Sequence, residues 1–297
     1  MDFITKTNIL PPVHKLTLKN KILITGSCFA NEVGNMLKIH GFNISVNPFG
    51  TLYNPVSIAQ SIERLANSKP FNNNDVIDIS LHSTALPPSQ TNENHKYCSF
   101  FHHSSFAKET PSDFLAYANN RLAEQSLFFK ECDTLIITLG TSWVFRHLQR
   151  DIIVSNCHKI APQEFRREFL QFEAICEILN NLVTNYPHKN FIFTVSPIRH
   201  LKDGAHGNNI SKASLLLAVE YILSKYPHNT YYFPAYEIML DELRDYRFYA
   251  EDMVHPSDVA VKYIFEKFKE NCIDSAEYPK MQQMLKQHKL NMHRQLM

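Results

Sequence analysis

The chain has 297 residues, 44 % hydrophobic and 20 % charged, with a formal net charge of +1. That is enough chain for one large α/β domain or two smaller ones with a sizeable core. The charge is too small to recommend nucleic acid or an anionic membrane surface as a partner. The start, MDFITKTNILPPVHK, lacks a basic stretch followed by an apolar one, and no run approaches membrane-spanning length, so neither a secretory leader nor a transmembrane helix is expected. The six cysteines are scattered without a CxxC pair, which argues against a zinc knuckle or a dithiol redox site. Reduced thiols in a cytoplasmic protein are the default reading.

In chain order, an apolar run at 21–25 (KILIT) predicts a strand, followed by a helix over 30–40 that stops at Gly41. A second strand is expected at 42–46. A helix follows from Pro55, with Asn54 placed as its N-cap and proline in the first turn. Residues 67–111, rich in Asn, Ser, Pro and His, are too long for a bare connection and read as an insertion, with 102–105 expected to overhang the loop after the first strand. Then come a helix over 112–130, a strand at 134–139 (TLIITL), a helix over 162–185 and a strand at 191–195 (FIFTV). A helix over 211–225, a strand at 230–233 (TYYF) and a helix over 257–271 complete the series, and 273–297 form a polar tail. Several strands are continuously apolar, as expected when both faces are covered. Strands alternating with helices imply one α/β domain with a doubly wound parallel sheet of about five strands, in the order 2-1-3-4-5.

Ligands of such a sheet bind beyond the carboxyl ends of its strands. The loops there carry Gly26-Ser27-Cys28; Asn47, Gly50 and Asn54; Gly140-Thr141-Ser142-Trp143; Arg199 and His200; and Asp252 with His255. Ser27 stands at a strand end and at a helix start, where unpaired N–H groups can stabilise an oxyanion. A serine there is equally a favoured N-cap. Asp252 and His255 lie three apart, and Pro256 disfavours helix at His255, which puts the pair on a turn. On that turn the carboxylate can fix the imidazole tautomer while the other ring nitrogen faces a serine; an Asx turn with a solvated histidine is the plainer alternative.

At these residues the sequence resembles the GSCFA family, here Gly26-Ser27-Cys28-Phe29-Ala30. VNPFGTLYNP, TLGTSWVFRH, NCHK, TVSPIRHLKDG and ELRDYRFYAEDMVHPS resemble its blocks in order, over about residues 20–268. The resemblance implies a flavodoxin-like three-layer α/β/α sandwich of the SGNH/GDSL hydrolase superfamily. It implies a triad of Ser27, His255 and Asp252, and an oxyanion hole from Ser27, Gly50 and Ser142. Ser142 stands where the superfamily has an asparagine, with Asn47 or Asn54 as the alternative donor. The resemblance implies as substrate a small-molecule ester of the acetylated-carbohydrate kind, turned over by a hydrolase or acyltransferase without cofactor or metal.

Substrate contacts are expected from Asn47, Asn54, Gly140, Thr141, His102, His103, His158, Arg199 and His200. Arg199 would suit a carboxylate or phosphate, although an arginine at a surface is commonly just solvated. Cys28, at a helix N-terminus, is the alternative nucleophile; Trp143 reads as packing. Two other functions stay open: a degenerate member that binds a glycan or small ligand without turnover, and a phosphate or nucleotide binder, the latter weakened because the first loop lacks a glycine-rich fingerprint.

Overall fold

The computed structural model describes residues 4–80 and 95–295. Its strands, in chain order, are β1 (Lys21–Gly26), β2 (Asn43–Val46), β3 (Ile77–Asp78), β4 (Tyr97–Cys98), β5 (Thr134–Leu139), β6 (Trp143–His147), β7 (Ile152–Val154), β8 (Phe165–Phe169), β9 (Asn190–Val195) and β10 (Thr230–Tyr232). The helices are α1 (Cys28–Ile39), α2 (Pro55–Asn67), α3 (Pro111–Glu131), α4 (Phe172–Asn185), α5 (Gly204–Lys225), the short α6 (Ala235–Glu237), α7 (Asp258–Cys272) and α8 (Tyr278–Gln295).

Five strands form one parallel sheet in the order β10-β9-β5-β1-β2, which is 2-1-3-4-5 in chain order. The register sets Ile24 beside Val46 and Ile136, and Ile137 beside Phe193. Because strand side chains alternate between faces, the continuously apolar runs feed two cores. Leu23, Leu135, Ile137, Phe191 and Phe193 pack with α2, α3, α4 and α5 on one face. Ile22, Ile24, Ile136 and Ile192 pack with α1 and α7 on the other. Leu23 and Ile24 are both fully buried, on opposite faces, and burying such a side chain stabilises by roughly 1.5–3 kcal/mol. The result is a three-layer α/β/α sandwich. Among the described residues no helix is long and apolar enough to cross a membrane.

One expected helix divides. Residues 162–185 hold a 3₁₀ turn at Pro162–Glu164, then β8, then α4. The reason is tertiary: β6 accepts β8 as an antiparallel partner, with Phe145 opposite Arg167, and Phe165 packs edge-on against Phe100 and His147. The three-stranded sheet β7-β6-β8 stands beyond the carboxyl end of the central sheet as a wall. The α5 helix begins seven residues earlier than expected, and the tail contains α8. Residues 81–94 of the insertion lie outside the described residues; the remainder includes the β3–β4 ladder and a 3₁₀ turn at Ser104–Phe106.

Candidate active site

The site begins where β1 stops. At Gly26, φ is +142°, and a Cβ there would lie 2.1 Å from the Thr138 carbonyl oxygen; only glycine lets the chain pass so close to β5. The backbone then enters α1 at once. The Ser27 N–H continues the ladder by donating to the Thr138 carbonyl at 3.2 Å, and the Ser27 hydroxyl donates to Ser196 Oγ at 2.9 Å. The residue is 1 % exposed, so its hydroxyl points beneath the helix start toward the end of β9.

The next residue faces the other way. Cys28 lines a cleft of about 520 Å³, together with Tyr53 and Asn54 after β2, His103 of the insertion, Trp143 and Arg167 of the antiparallel wall, the 198–203 segment after β9, and His255. Burial pushes the Cys28 thiol up, with the Glu32 charge adding to it, while the Cys28 and Phe29 amides and the Tyr53 hydroxyl pull it down. Those amides belong to the first turn of α1, where N–H groups have no helical partner. With the net direction upward, the resting group is a thiol, and ionising it requires a base.

A histidine–carboxylate pair completes the cleft. Asp252 Oδ1 accepts from the Val254 and His255 N–H groups, each at 2.9 Å, and Oδ2 lies 2.6 Å from His255 Nδ1. Met253 turns the chain with φ +57°. The Asx turn and the imidazole–carboxylate pair are therefore one structure. The N–H donors hold the Asp252 carboxyl down to about 2, so it is ionised at neutral pH and fixes the proton on Nδ1. That leaves Nε2 as an acceptor.

Behind the cleft, Lys212 on α5 is 1 % exposed and donates to the carbonyls of Gly140 at 2.7 Å and Ser196 at 2.8 Å. It ties the ends of β5 and β9 together. Burial lowers its pKa to about 7. Among the described residues no group of three His, Cys, Asp or Glu side chains is placed to hold a metal ion.

The sequence model of the GSCFA family matches residues 21–268. The chain belongs to the GSCFA family. No curated protein matches it. A solved structure that is similar to this GSCFA chain is that of a Corynascus thermopiles (Myceliophthora fergusii) carbohydrate esterase family 2 enzyme plus carbohydrate binding domain. It is 12 % identical, covering 93 % of this chain and 69 % of that one, with a TM-score of 0.39. A likeness so distant carries no argument about the reaction.

The GSCFA scaffold places the expected site residues as follows. Ser27 has Ser196, not His255, as the partner of its hydroxyl. The three expected oxyanion donors are engaged: Ser27 N–H as above, Gly50 N–H with the Asn47 carbonyl at 2.8 Å, and the Ser142 hydroxyl with the Ser211 carbonyl at 2.9 Å. Asn47 is a clamp, accepting from Gly26 N–H at 2.9 Å and donating to Asn31 at 2.7 Å. Asn54 lines the cleft but caps α2, its Oδ1 accepting from Ser57 N–H at 2.9 Å.

The histidines also divide. His103 lines the cleft, and its Cβ sits 2.3 Å from where a Cβ on Gly50 would stand, so the insertion does reach the carboxyl end of the sheet. His102 is fully buried among phenylalanine rings, and His158, nearly buried, bonds the Ser99 carbonyl at 2.8 Å. Neither lines the cleft, because each is packed inside the insertion and its support. Gly140 supplies its carbonyl to Lys212 and is not among the residues that line the cleft. Thr141, Arg199 and His200 do line the cleft.

Tyr53, Arg167, Lys202 and Val254 line the cleft without a sequence signal that marks them, and Trp143, expected to pack, lines it as well. The one signal available was that Trp143 is the only tryptophan, next to a loop already expected to face ligand.

Proposed function

We propose that the GSCFA chain is an acyl-transfer enzyme, an ester hydrolase or acyltransferase, in which Cys28 is the nucleophile, His255 the base and Asp252 the group that orients it. One observation carries this reading: Cys28 and His255 line the same cleft, while the Ser27 hydroxyl is bonded to Ser196 beneath it. His255 Nε2 takes the thiol proton, and the thiolate adds to the ester carbonyl. The Cys28 and Phe29 amides and the Tyr53 hydroxyl are the donors available at the reacting centre. The alcohol leaves with the imidazolium proton, giving a thioester. Water, or an acceptor hydroxyl, then attacks the thioester and restores the thiol. The substrate in this reading is a small-molecule or carbohydrate ester.

Binding without turnover is the second reading, favoured by the engagement of all three expected oxyanion donors. Release of nitrophenolate from p-nitrophenyl acetate separates the readings. Under the first, wild type turns over, acyl-enzyme appears by intact mass on Cys28, and Cys28→Ala lowers the rate on the order of 10³-fold or more. A wild type that neither turns over nor acylates supports the second. Acylation by a fluorophosphonate at Ser27 would instead return the serine to the nucleophile's role.

A further inference from the structure

Six residues of the cleft form a built wall that the acyl-transfer chemistry does not use. The 198–203 segment is pinned along its length. Arg199 N–H donates to the Val254 carbonyl at 3.2 Å, His200 N–H donates to Asn208 Oδ1 at 2.9 Å, and Asp203 is ion-paired with Arg167. Arg167 in turn lies over the Trp143 ring, 4.1 Å from its centroid. The wall therefore has a fixed shape.

Its polar groups include unpartnered ones. Trp143 Nε1 is buried without a hydrogen-bond partner among the described residues, and it can only donate. His200 Nε2 is likewise buried and unpartnered, and donates or accepts according to the tautomer. The Arg199 and Lys202 side chains have no carboxylate within ion-pair distance among the described residues; the Arg199 guanidinium lies over the Tyr249 ring, 5.5 Å from its centroid, and the one carboxylate on the cleft wall, Asp203, is held by Arg167. Asp252 is held by the His255 turn. Glu32 acts on Cys28 but does not line the cleft. Arg199 also borders a second hollow of about 410 Å³ that contains Asp241 and Asp245, and it pairs with neither. Buried donors left unpaired are costly unless something fills the site. The unpaired Trp143 donor together with two cations that no carboxylate pairs asks for a ligand that accepts hydrogen bonds and carries negative charge.

We infer that the cleft takes an anionic substrate, one whose carboxylate or phosphate group lies between Arg199 and Lys202 and whose flat body rests against Trp143. The inference rests on the reading of this cleft as the substrate site and adds to it a substrate class. Neutral esters would enter the same cleft but leave both cations unmatched.

Trp143, as the sole tryptophan, is a built-in reporter that does not require turnover. The probes are phenyl phosphate and, as its neutral counterpart, benzyl alcohol, titrated against Trp143 fluorescence. In parallel, each is tested for protecting Cys28 from iodoacetamide. Phenyl phosphate should bind saturably and protect Cys28, with benzyl alcohol at least about tenfold weaker, the size of one lost charge-assisted hydrogen bond. Arg199→Gln should weaken phenyl phosphate by about tenfold, and the Arg199→Gln/Lys202→Gln pair further still, while Lys280→Gln on the remote α8 should change nothing. The inference is overturned if benzyl alcohol binds as tightly, if the double variant binds phenyl phosphate like wild type, or if phenyl phosphate gives neither a fluorescence change nor protection. Anion binding in a protein that never turns over an ester would overturn the acyl-transfer reading alone. Ester turnover with no preference for anions would overturn this one alone.

Discussion

His102 and His255 sit in two regions that treat the same side chain in opposite ways. The region around His102 is an aromatic box: Phe49, Phe71, Phe106 and Phe114 surround it with ring centroids 4.5–5.5 Å away, and Ser99 Oγ meets its Nδ1 at 2.7 Å. Burial there, with the Arg64 and His158 charges adding to it, drives the His102 pKa down to about 3. The region around His255 is a turn on the rim of a cleft, where the side chain is 47 % exposed and held by an ionised carboxylate. Enclosure by rings makes a histidine into a packing residue. A carboxylate and access to solvent leave it able to exchange a proton at a chosen nitrogen.

The comparison breaks most visibly at the two side chains themselves. His255→Ala should lower turnover of p-nitrophenyl acetate by at least about 100-fold, the usual worth of a general base. It should move the urea midpoint little, since a surface change away from packing usually stays within about 0.5 kcal/mol. His102→Ala should do the reverse. It opens a cavity in the box and removes a buried hydrogen-bond partner, a loss of about 3 kcal/mol of stability, with the surviving folded protein still alkylated at Cys28. Equal loss of stability in the two variants would mean that the regions do not differ as described.

Acid titration sharpens the same contrast. The pKa of His102 is lowered to about 3 and that of His200 to about 4, both first by burial, below the ordinary value of about 6.5. The unfolded chain therefore binds more protons than the folded one below pH ~6.5. Stability from these groups is full above that pH and is lost as pH falls toward 4. The slope from His102 approaches about 1.4 kcal/mol per pH unit; His200, partly exposed on the cleft, contributes less. Glu237, raised by burial, acts with the opposite sign, but it is common to both proteins when wild type is compared with His102→Phe. Urea midpoints between pH 6.5 and 4.5 should fall less steeply in His102→Phe. Parallel slopes would show that His102 is not held neutral.

Much of the scaffold could be read from the chain because its signals were local and redundant. The runs at β1, β5 and β9 are apolar on both faces, which only a covered parallel sheet explains, and the 2-1-3-4-5 order followed from their alternation with helices. Asn54 before Pro55 gave the start of α2, and the Asp252-to-His255 spacing gave a turn with the carboxylate against Nδ1. What could not be read depended on phase or on distant partners. Ser27 and Cys28 differ by one position at a strand-to-helix junction, and the direction each takes is set by Gly26 passing against Thr138. Phe165 to Phe169 carry a helical spacing that β6 overrides. Lys212 looks like any helical lysine until two strand-end carbonyls, from Gly140 and Ser196, converge on it.

The smallest effect bears on the residue at the centre of the question. Ser27 is the N-cap of α1, yet its side chain makes no capping bond; the hydroxyl donates to Ser196 instead. Ser27→Ala therefore does not remove a cap in the usual sense. It removes one buried hydroxyl pair and leaves Ser196 Oγ still accepting from Ile198 N–H at 3.3 Å. The cost should be about 1 kcal/mol, that of one net hydrogen bond. Because Cys28 and His255 keep their places on the cleft wall, turnover should fall by no more than a few-fold, and iodoacetamide should still label Cys28 at the wild-type rate. Urea unfolding and single-turnover kinetics on the same sample check both halves. If stability holds while turnover vanishes, Ser27 rather than Cys28 attacks the ester, and the hydroxyl must swing from Ser196 to His255 when substrate binds.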